Sequence, residues 1–485
     1  MLSQRCFTTF YFTLIFIIAC FLGSVSCKKH INGDAILSFS CEDNTITFDT
    51  VFTSIGSATR KFTVHNTSNQ DVKTTIFLQG GTKSNYSINV NGLPGTIFKD
   101  VEIPKKDSIY IFVKVNIDPG NINNPFLVTD AIVFVTGAKD QEVTLLAYGQ
   151  DAHFIVADQG SGNLRYKVVA EANETVIWTK DKPYVVYGGY AAIDSLGKLI
   201  IEPGTKIYLH KNSGLWAYRY SKLEVGDNLG EPVLFRSDRL EPDYDDPRYA
   251  LWDRIMINEG ADVIIQNAII TNAIVGVQVE SLPDETGLQV EPNIVKIENT
   301  IIKNIQISGV ISRFLNLDMT NCLISNTGDA SMILEGGNYK MKHITIANYS
   351  MQKERKNPAC YVSNRSSIYI DENTKPLPYD VKAEFVNCII YGKIENEVYI
   401  DKDDRAECEV EFQNCLLKAK DNSSYFNECW RNEDPKFADI NKQDYNLLFD
   451  SPAIGKGKVL NDVPLDILGN PRGNKPDLGA YQFVR

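Results

Sequence analysis

Chemistry needs carboxylates, bases or aromatic faces brought close together, and one segment of this 485-residue chain concentrates them. In "FRSDRLEPDYDDPRYALWDR" (235–254), Asp238, Glu241, Asp243, Asp245, Asp246 and Asp253 stand among Tyr244, Tyr249 and Trp252. Clustered carboxylate oxygens suit Ca²⁺, and carboxylates beside aromatic faces suit a sugar ring. Interleaved Arg236, Arg239, Arg248 and Arg254 offer a plainer reading, a solvated loop laced with ion pairs. Asp238, Glu241, Asp243, Tyr244, Asp245, Asp246, Trp252 and Asp253 are therefore the candidate glycan- or Ca²⁺-binding set.

A second segment, "SGLWAYRYSK" (213–222), places Trp216, Tyr218 and Tyr220 at alternate positions, hence on one face of a strand. Facing outward they would form a stacking platform, and facing inward they would be core. Arg219 on the opposite face resists burial, so the rings are expected inside. Lys303 and Arg313 are outward candidates for the base of a β-elimination, but no acidic cluster recurs beside them. A two-carboxylate glycosidase is equally unsupported, since an acidic chain offers many such pairs. No catalytic residue is assigned, and an enzyme is the less favoured expectation. Five scattered histidines and the absence of any C-x-x-C pair argue against zinc. A formal charge of −12 argues against nucleic acid or anionic lipid as the main partner.

The elements that must hold these residues announce themselves by repetition. "IQNAIITN" (265–272), "IENTIIKN" (297–304), "MTNCLISN" (319–326), "MKHITIAN" (341–348), "FVNCIIYG" (385–392) and "FQNCLLKA" (412–419) share one pattern. Their third residues, Asn267, Asn299, Asn321, His343, Asn387 and Asn414, are separated by 32, 22, 22, 44 and 27 positions. A unit of about 22 residues suits one coil of a parallel β-helix, three short strands joined by three bends. Lys303 must face solvent, which turns Ile302 and Thr300 inward. By the same phase Ala268, Cys322, Ile344, Cys388 and Cys415 point inward, as do Ile270, Ile324, Ile346, Ile390 and Leu417. The Asn between two inward runs is a bend, since Asn tolerates the left-handed conformation. The inward cysteines read as small core residues, with a Cys388–Cys415 disulfide between adjacent coils as the alternative.

The outward position of the phrase is apolar in five of six copies: Ile269, Ile301, Leu323, Ile389 and Leu416, with Thr345 the exception. An apolar stripe of that length needs a cover. Either a loop or the preceding domain packs there, or the stripe is a partner face.

Residues 38–152 carry short alternating strands such as "ATRKFTVHNTS" and "DSIYIFVKVNI", the pattern of a two-sheet sandwich. "FTVHNTSNQDVK" with "PKKDSIYIFVKV" resembles bacterial immunoglobulin-like modules, which implies a spacer or docking role. At the N-terminus, Arg5, an apolar run and "SVSC" form a secretory signal. Small residues before Cys27 resemble a bacterial lipoprotein signal, which implies lipidation of Cys27, although Ser24 stands where such signals carry an aliphatic residue. Cys20, at the end of "IIAC", and an uncleaved anchor are the alternatives. At the other end, "NEDPKFADINKQDYNLLFDSPAIGKG" and "DILGNPRGNKPDLGAYQF" resemble the closing segment of secreted right-handed parallel β-helix proteins, expected to cap the last coil.

The expected class is all-β. A signal peptide (1–26) and a linker from Cys27 (27–37) lead to an immunoglobulin-like sandwich (38–152), a right-handed parallel β-helix (153–431) and a closing segment (432–485). The expected role is a lipid-anchored protein of the bacterial envelope, in the outer membrane. It would bind glycan or an envelope partner without catalysis, with no cofactor beyond Ca²⁺. Alternatives are a polysaccharide lyase or glycoside hydrolase, and a structural subunit of an outer-membrane assembly.

Overall fold

The computed structural model describes residues 31–32, 35–52, 59–117, 126–162, 164–227, 230–239, 252–281, 294–349, 355–370, 375–420 and 422–484. The chain divides into two compact units between Gln150 and Asp151. Both are built of strands, and the described helical turns are two short 3₁₀ segments, Glu42–Asn44 and Gly81–Lys83. No described helix is long and apolar enough to cross a membrane.

The first unit has two sheets. One contains Asp71–Leu78, Phe126–Thr136 and Lys139–Gln150, and the other contains Arg60–Asn66, Ser108–Val115 and Tyr86–Val90. Strict alternation builds the core between them. In Asp71–Leu78 the residues Val72, Thr74, Ile76 and Leu78 are buried while their neighbours are not, and they meet Phe62, Val64, Ile111 and Val113 from the opposite sheet.

The second unit consists of three long parallel sheets visited in rotation, the arrangement of a parallel β-helix. Sheet I runs from His153–Val156 through Ile301–Ile305 to Trp430–Arg431. Sheet II runs from Gln159–Ser161 through Gly214–Ala217 to Val398–Asp401. Sheet III runs from Thr175–Trp178 through Leu317–Thr320 to Phe426–Asn427. Only the first pair of sheet II, Gln159–Ser161 with Leu164–Ala170, is antiparallel. The inward residues of all three sheets merge into one apolar core.

The repeated phrase is the corner from sheet III to sheet I. All six third residues have positive φ, between 48° and 58°. Their inward neighbours Ala268, Thr300, Cys322, Ile344, Cys388 and Cys415 are buried, as are Ile270, Ile302, Ile324, Ile346, Ile390 and Leu417. The phrase also holds a second bend that its inward and outward phase does not reveal. Its eighth residue is left-handed too at Asn272, Asn304 and Asn326. In these three copies two Asn bends bracket the short strand of sheet I. Neighbouring bends touch in places, with Asn321 Nδ2 donating to Asn299 Oδ1 at 3.2 Å and Asn387 Nδ2 to His343 Nε2 at 2.9 Å.

Candidate functional site

Sheet II carries polar and aromatic chemistry on its outer face. In the strand Gly214–Ala217, Leu215 and Ala217 enter the core and Trp216 points outward, half-buried. This corrects the expectation that Trp216 and its partners face inward. The strand ends at Ala217, so Arg219 lies in the following turn and is not bound by strand alternation. Its guanidinium pairs there with buried Glu259.

Three tyrosines surround the Trp216 indole. The rings of Tyr166, Tyr190 and Tyr218 lie 5.9, 6.1 and 5.3 Å from it, each edge-on. The indole N–H donates to Asn258 Oδ1 at 2.6 Å, so the group that would resist burial is satisfied. Gly214 makes room for this cluster, because a Cβ there would strike the Tyr190 ring and the Arg254 carbonyl. Tyr220 is 46% exposed beyond the end of the strand.

Polar groups continue up the same face. The Tyr190 hydroxyl donates to Asp253, and Arg254 grips the other Asp253 oxygen through Nε at 3.0 Å and Nη2 at 2.8 Å. Arg254 also reaches Gln278, which donates to Glu280. Arg313 then sits between two carboxylates, 3.0 Å from Glu280 and 2.7 Å from Glu335. The Tyr369 hydroxyl adds a bond to Glu280 at 2.8 Å. Burial, reinforced by Asp253, pushes the Tyr190 phenol well above its ordinary range, so it remains a donor. Burial, with Glu280, does the same to Tyr369. The second oxygen of Glu335 is buried without a hydrogen-bond partner among the described residues. These carboxylates accept from guanidinium, amide or phenol groups, so each is held by at least one donor of the same face.

The acidic segment divides. Asp253 belongs to this patch. Trp252 does not, being fully buried in the core with its indole N–H on the Thr271 carbonyl at 2.9 Å; it leaves the candidate set because it fills the sheet I–sheet II corner. Asp238 lies at the end of a sheet I strand, where its carboxylate meets His210 Nδ1 at 2.7 Å, and that imidazole stacks on Tyr187 at 4.2 Å. Glu241, Asp243, Tyr244, Asp245 and Asp246 lie outside the described residues, as does Cys27. Among the described residues no group of three or more His, Cys, Asp or Glu side chains could hold a metal ion. Arg313, held by two carboxylates, is unavailable as a base.

From Ile301 to Leu416 the apolar stripe on sheet I is covered by the chain's own C-terminal segment, and Ile269 lies outside that cluster. Ile269, Ile301, Leu323, Thr345, Ile389 and Leu416 pair in register as one ladder. Phe437, Tyr445, Leu447, Ala453, Leu478 and Tyr481 pack with Leu323, Ile389 and Leu416 in a separate apolar cluster, and Ile301 lies at its edge. Leu323, Ile389 and Leu416 are therefore not a partner face. The closing segment lies lengthwise on the wall, where several outward side chains offer more apolar area than one coil end. Thr345, the polar exception, accepts the Ala480 N–H at 2.8 Å. Gly479, at φ +80°, is required because a Cβ would collide with Thr345 and Ile389. Cys388 and Cys415 are free thiols, so the disulfide alternative between them is not realised.

Sequence reasoning missed Tyr166, Tyr190, His210, Asn258, Gln278, Glu280 and Glu335. The repeated phrase marks the bends around sheet I, and sheet II has no comparable phrase to set its phase. The register of Tyr166 with Tyr190, and of Trp216 with Met256 and then Gln278, was the missing signal.

No family model and no curated protein matches the chain. Among solved structures, it is similar to the CooA pilin subunit from enterotoxigenic Escherichia coli at 11% identity and a TM-score of 0.18, over 24% of this chain and 97% of that one. It is also similar to a family 123 glycoside hydrolase from Clostridium perfringens at 11% identity and a TM-score of 0.18, over 28% of this chain and 26% of that one. At that TM-score neither likeness bears on fold or function.

Proposed function

We propose that this chain is a lipid-anchored protein of the bacterial envelope that binds glycan without cleaving it. In this reading Cys27 carries the lipid and an immunoglobulin-like sandwich spaces the binding unit from the membrane. A right-handed parallel β-helix of about 22 residues per coil then presents the outer face of sheet II. The observation that carries the binding role is outward Trp216, ringed by Tyr166, Tyr190 and Tyr218 and bordered by Asp253 and Arg254. Apolar faces beside fixed polar groups are what a sugar ring presents and accepts.

The test is a titration of the mature protein with neutral and acidic polysaccharides, following tryptophan fluorescence and retardation in polysaccharide gels. Binding lost in Trp216→Ala supports the reading, and equal binding by the variant sinks it. An enzymatic reading has one feature in its favour, the His210–Asp238 pair at 2.7 Å, which orients an imidazole for proton transfer. New reducing ends or unsaturated products in the same incubations, abolished in His210→Gln, would favour it instead.

A further inference from the structure

The last coil of the second unit is the least secured. Its described strands are Phe426–Asn427 and Trp430–Arg431, two residues each, and the last described strand of sheet II belongs to an earlier coil. Two cysteines meet at this point. Leu416 pairs with Trp430 and Leu417 with Arg431, so the residues just before them, Cys415 and Cys429, are lateral neighbours. The Trp430 N–H donates to the Cys415 carbonyl at 2.9 Å, which holds the two backbones together. Adjacent strands lie about 4.8 Å apart, inside the Cα separation of about 4.4–6.8 Å that a disulfide spans.

The two thiols differ in a way that suits exchange. Cys415 is buried, and the Cys388 N–H donates to its sulfur at 3.3 Å. Cys429 is partly exposed. The Cys429 thiol donates to the Phe412 and Asn427 carbonyls at 3.1 and 3.3 Å, and the adjacent Cys415 thiol holds Cys429 below the usual thiol range. Burial pushes Cys415 well above it. An accessible, thiolate-prone sulfur beside a buried one gives an attacking and a resolving partner.

We propose that Cys415 and Cys429 are a redox pair that closes to a disulfide, fastening the last coil to the one before it. The oxidant is a small-molecule disulfide of the glutathione type. The Cys429 thiolate attacks one of its sulfurs, the oxidant's S–S bond breaks, and the first thiolate leaves. That thiolate takes the proton of Cys415, whose sulfur then attacks Cys429 in the mixed disulfide and expels the second thiolate. The two protein thiols lose two electrons and two protons, and the oxidant gains both as two thiols.

The test uses the full mature chain, incubated with oxidised glutathione, quenched in acid, alkylated and mapped by peptide mass spectrometry. The expected result is joint loss of two alkylatable thiols and a peptide linking Cys415 to Cys429. The oxidised protein should also unfold several degrees higher than the reduced one. Cys429→Ser should abolish both changes and Cys388→Ser neither. Cys429 remaining alkylatable, stopping as a glutathione adduct, or a link between Cys388 and Cys415 would each overturn the proposal. The wild-type peptide map decides the matter even where a variant folds poorly.

Discussion

Arg472 Nη2 donates to Asn321 Oδ1 at 2.8 Å, joining the C-terminal segment to a bend 151 residues earlier. The same guanidinium donates to the carbonyls of Leu465, Asp477, Gly479 and Ala480. Asn387 makes a matching clasp, its amide bonding both the N–H and the carbonyl of Lys458. The bends that turn the coils are thus also the anchors for the segment that covers them.

Removing that clasp should cost more than its exposed atoms suggest. Arg472 is buried, and its loss strands several carbonyls at about 1–3 kcal/mol for each left unsatisfied. Arg472→Ala should lower unfolding stability by about 3 kcal/mol, measured by urea denaturation, and expose sheet I to a hydrophobic dye. Asn321→Ala should cost less, since it removes one acceptor and one donor. Equal stability of Arg472→Ala and the wild type would show that the segment holds by apolar packing alone.

Stability should fall in mild acid through His343. The Asn387 amide is fixed on both sides by Lys458, so its Nδ2 faces His343 Nε2 as donor and that nitrogen must lack a proton. Burial, with Arg472 nearby, holds the imidazole well below its ordinary value. The unfolded chain takes up the proton near pH 6.5 and the folded chain does so only far lower. The contribution is therefore complete above that pH and is lost progressively below it. His343→Asn, the residue of the other five phrases, should flatten the slope of stability against pH between about 6.5 and 5.

The charged row on sheet II should prove intolerant of a single deletion. Arg313→Ala leaves Glu280 and Glu335 buried and facing each other, which costs about 3–5 kcal/mol. Arg313→Met combined with Glu280→Gln and Glu335→Gln should recover most of that loss in the same denaturation assay. No recovery would mean that Arg313 contributes mainly through packing.

The proposed glycan binding should depend on the Trp216 ring and not on its hydrogen bond. Trp216→Phe should keep affinity within a few-fold, whereas Trp216→Ala should lose about tenfold or more, roughly 1.4 kcal/mol. Isothermal titration with the polysaccharide that binds best separates these outcomes.

What was legible in the sequence was what repeats. Six copies of one phrase fix which residues face inward, and the inward positions from Ala268 to Leu417 are buried as phased. The stripe of Ile269 to Leu416 was visible, but its cover was not. Phe437, Tyr445 and Leu478 are scattered through an irregular segment with no period to show which face they meet. Trp216 was misplaced because alternation was extended two residues beyond the end of its strand. Trp252 and Asp253 are adjacent yet serve core and surface, a division that composition alone cannot make.

Residues 434–483 follow, in chain order, every strand of sheet I that they cover. While the chain is being made, the coils can stack before the segment arrives, and the wall then shows a bare oily stripe to its surroundings. A chain cut short before Phe437 would keep its coils and lose its coat. Such a product should be recognised by chaperones or clump with its own kind. The segment from Phe437 to Tyr481 is therefore a coat that the coils receive late, after the wall it hides has been built.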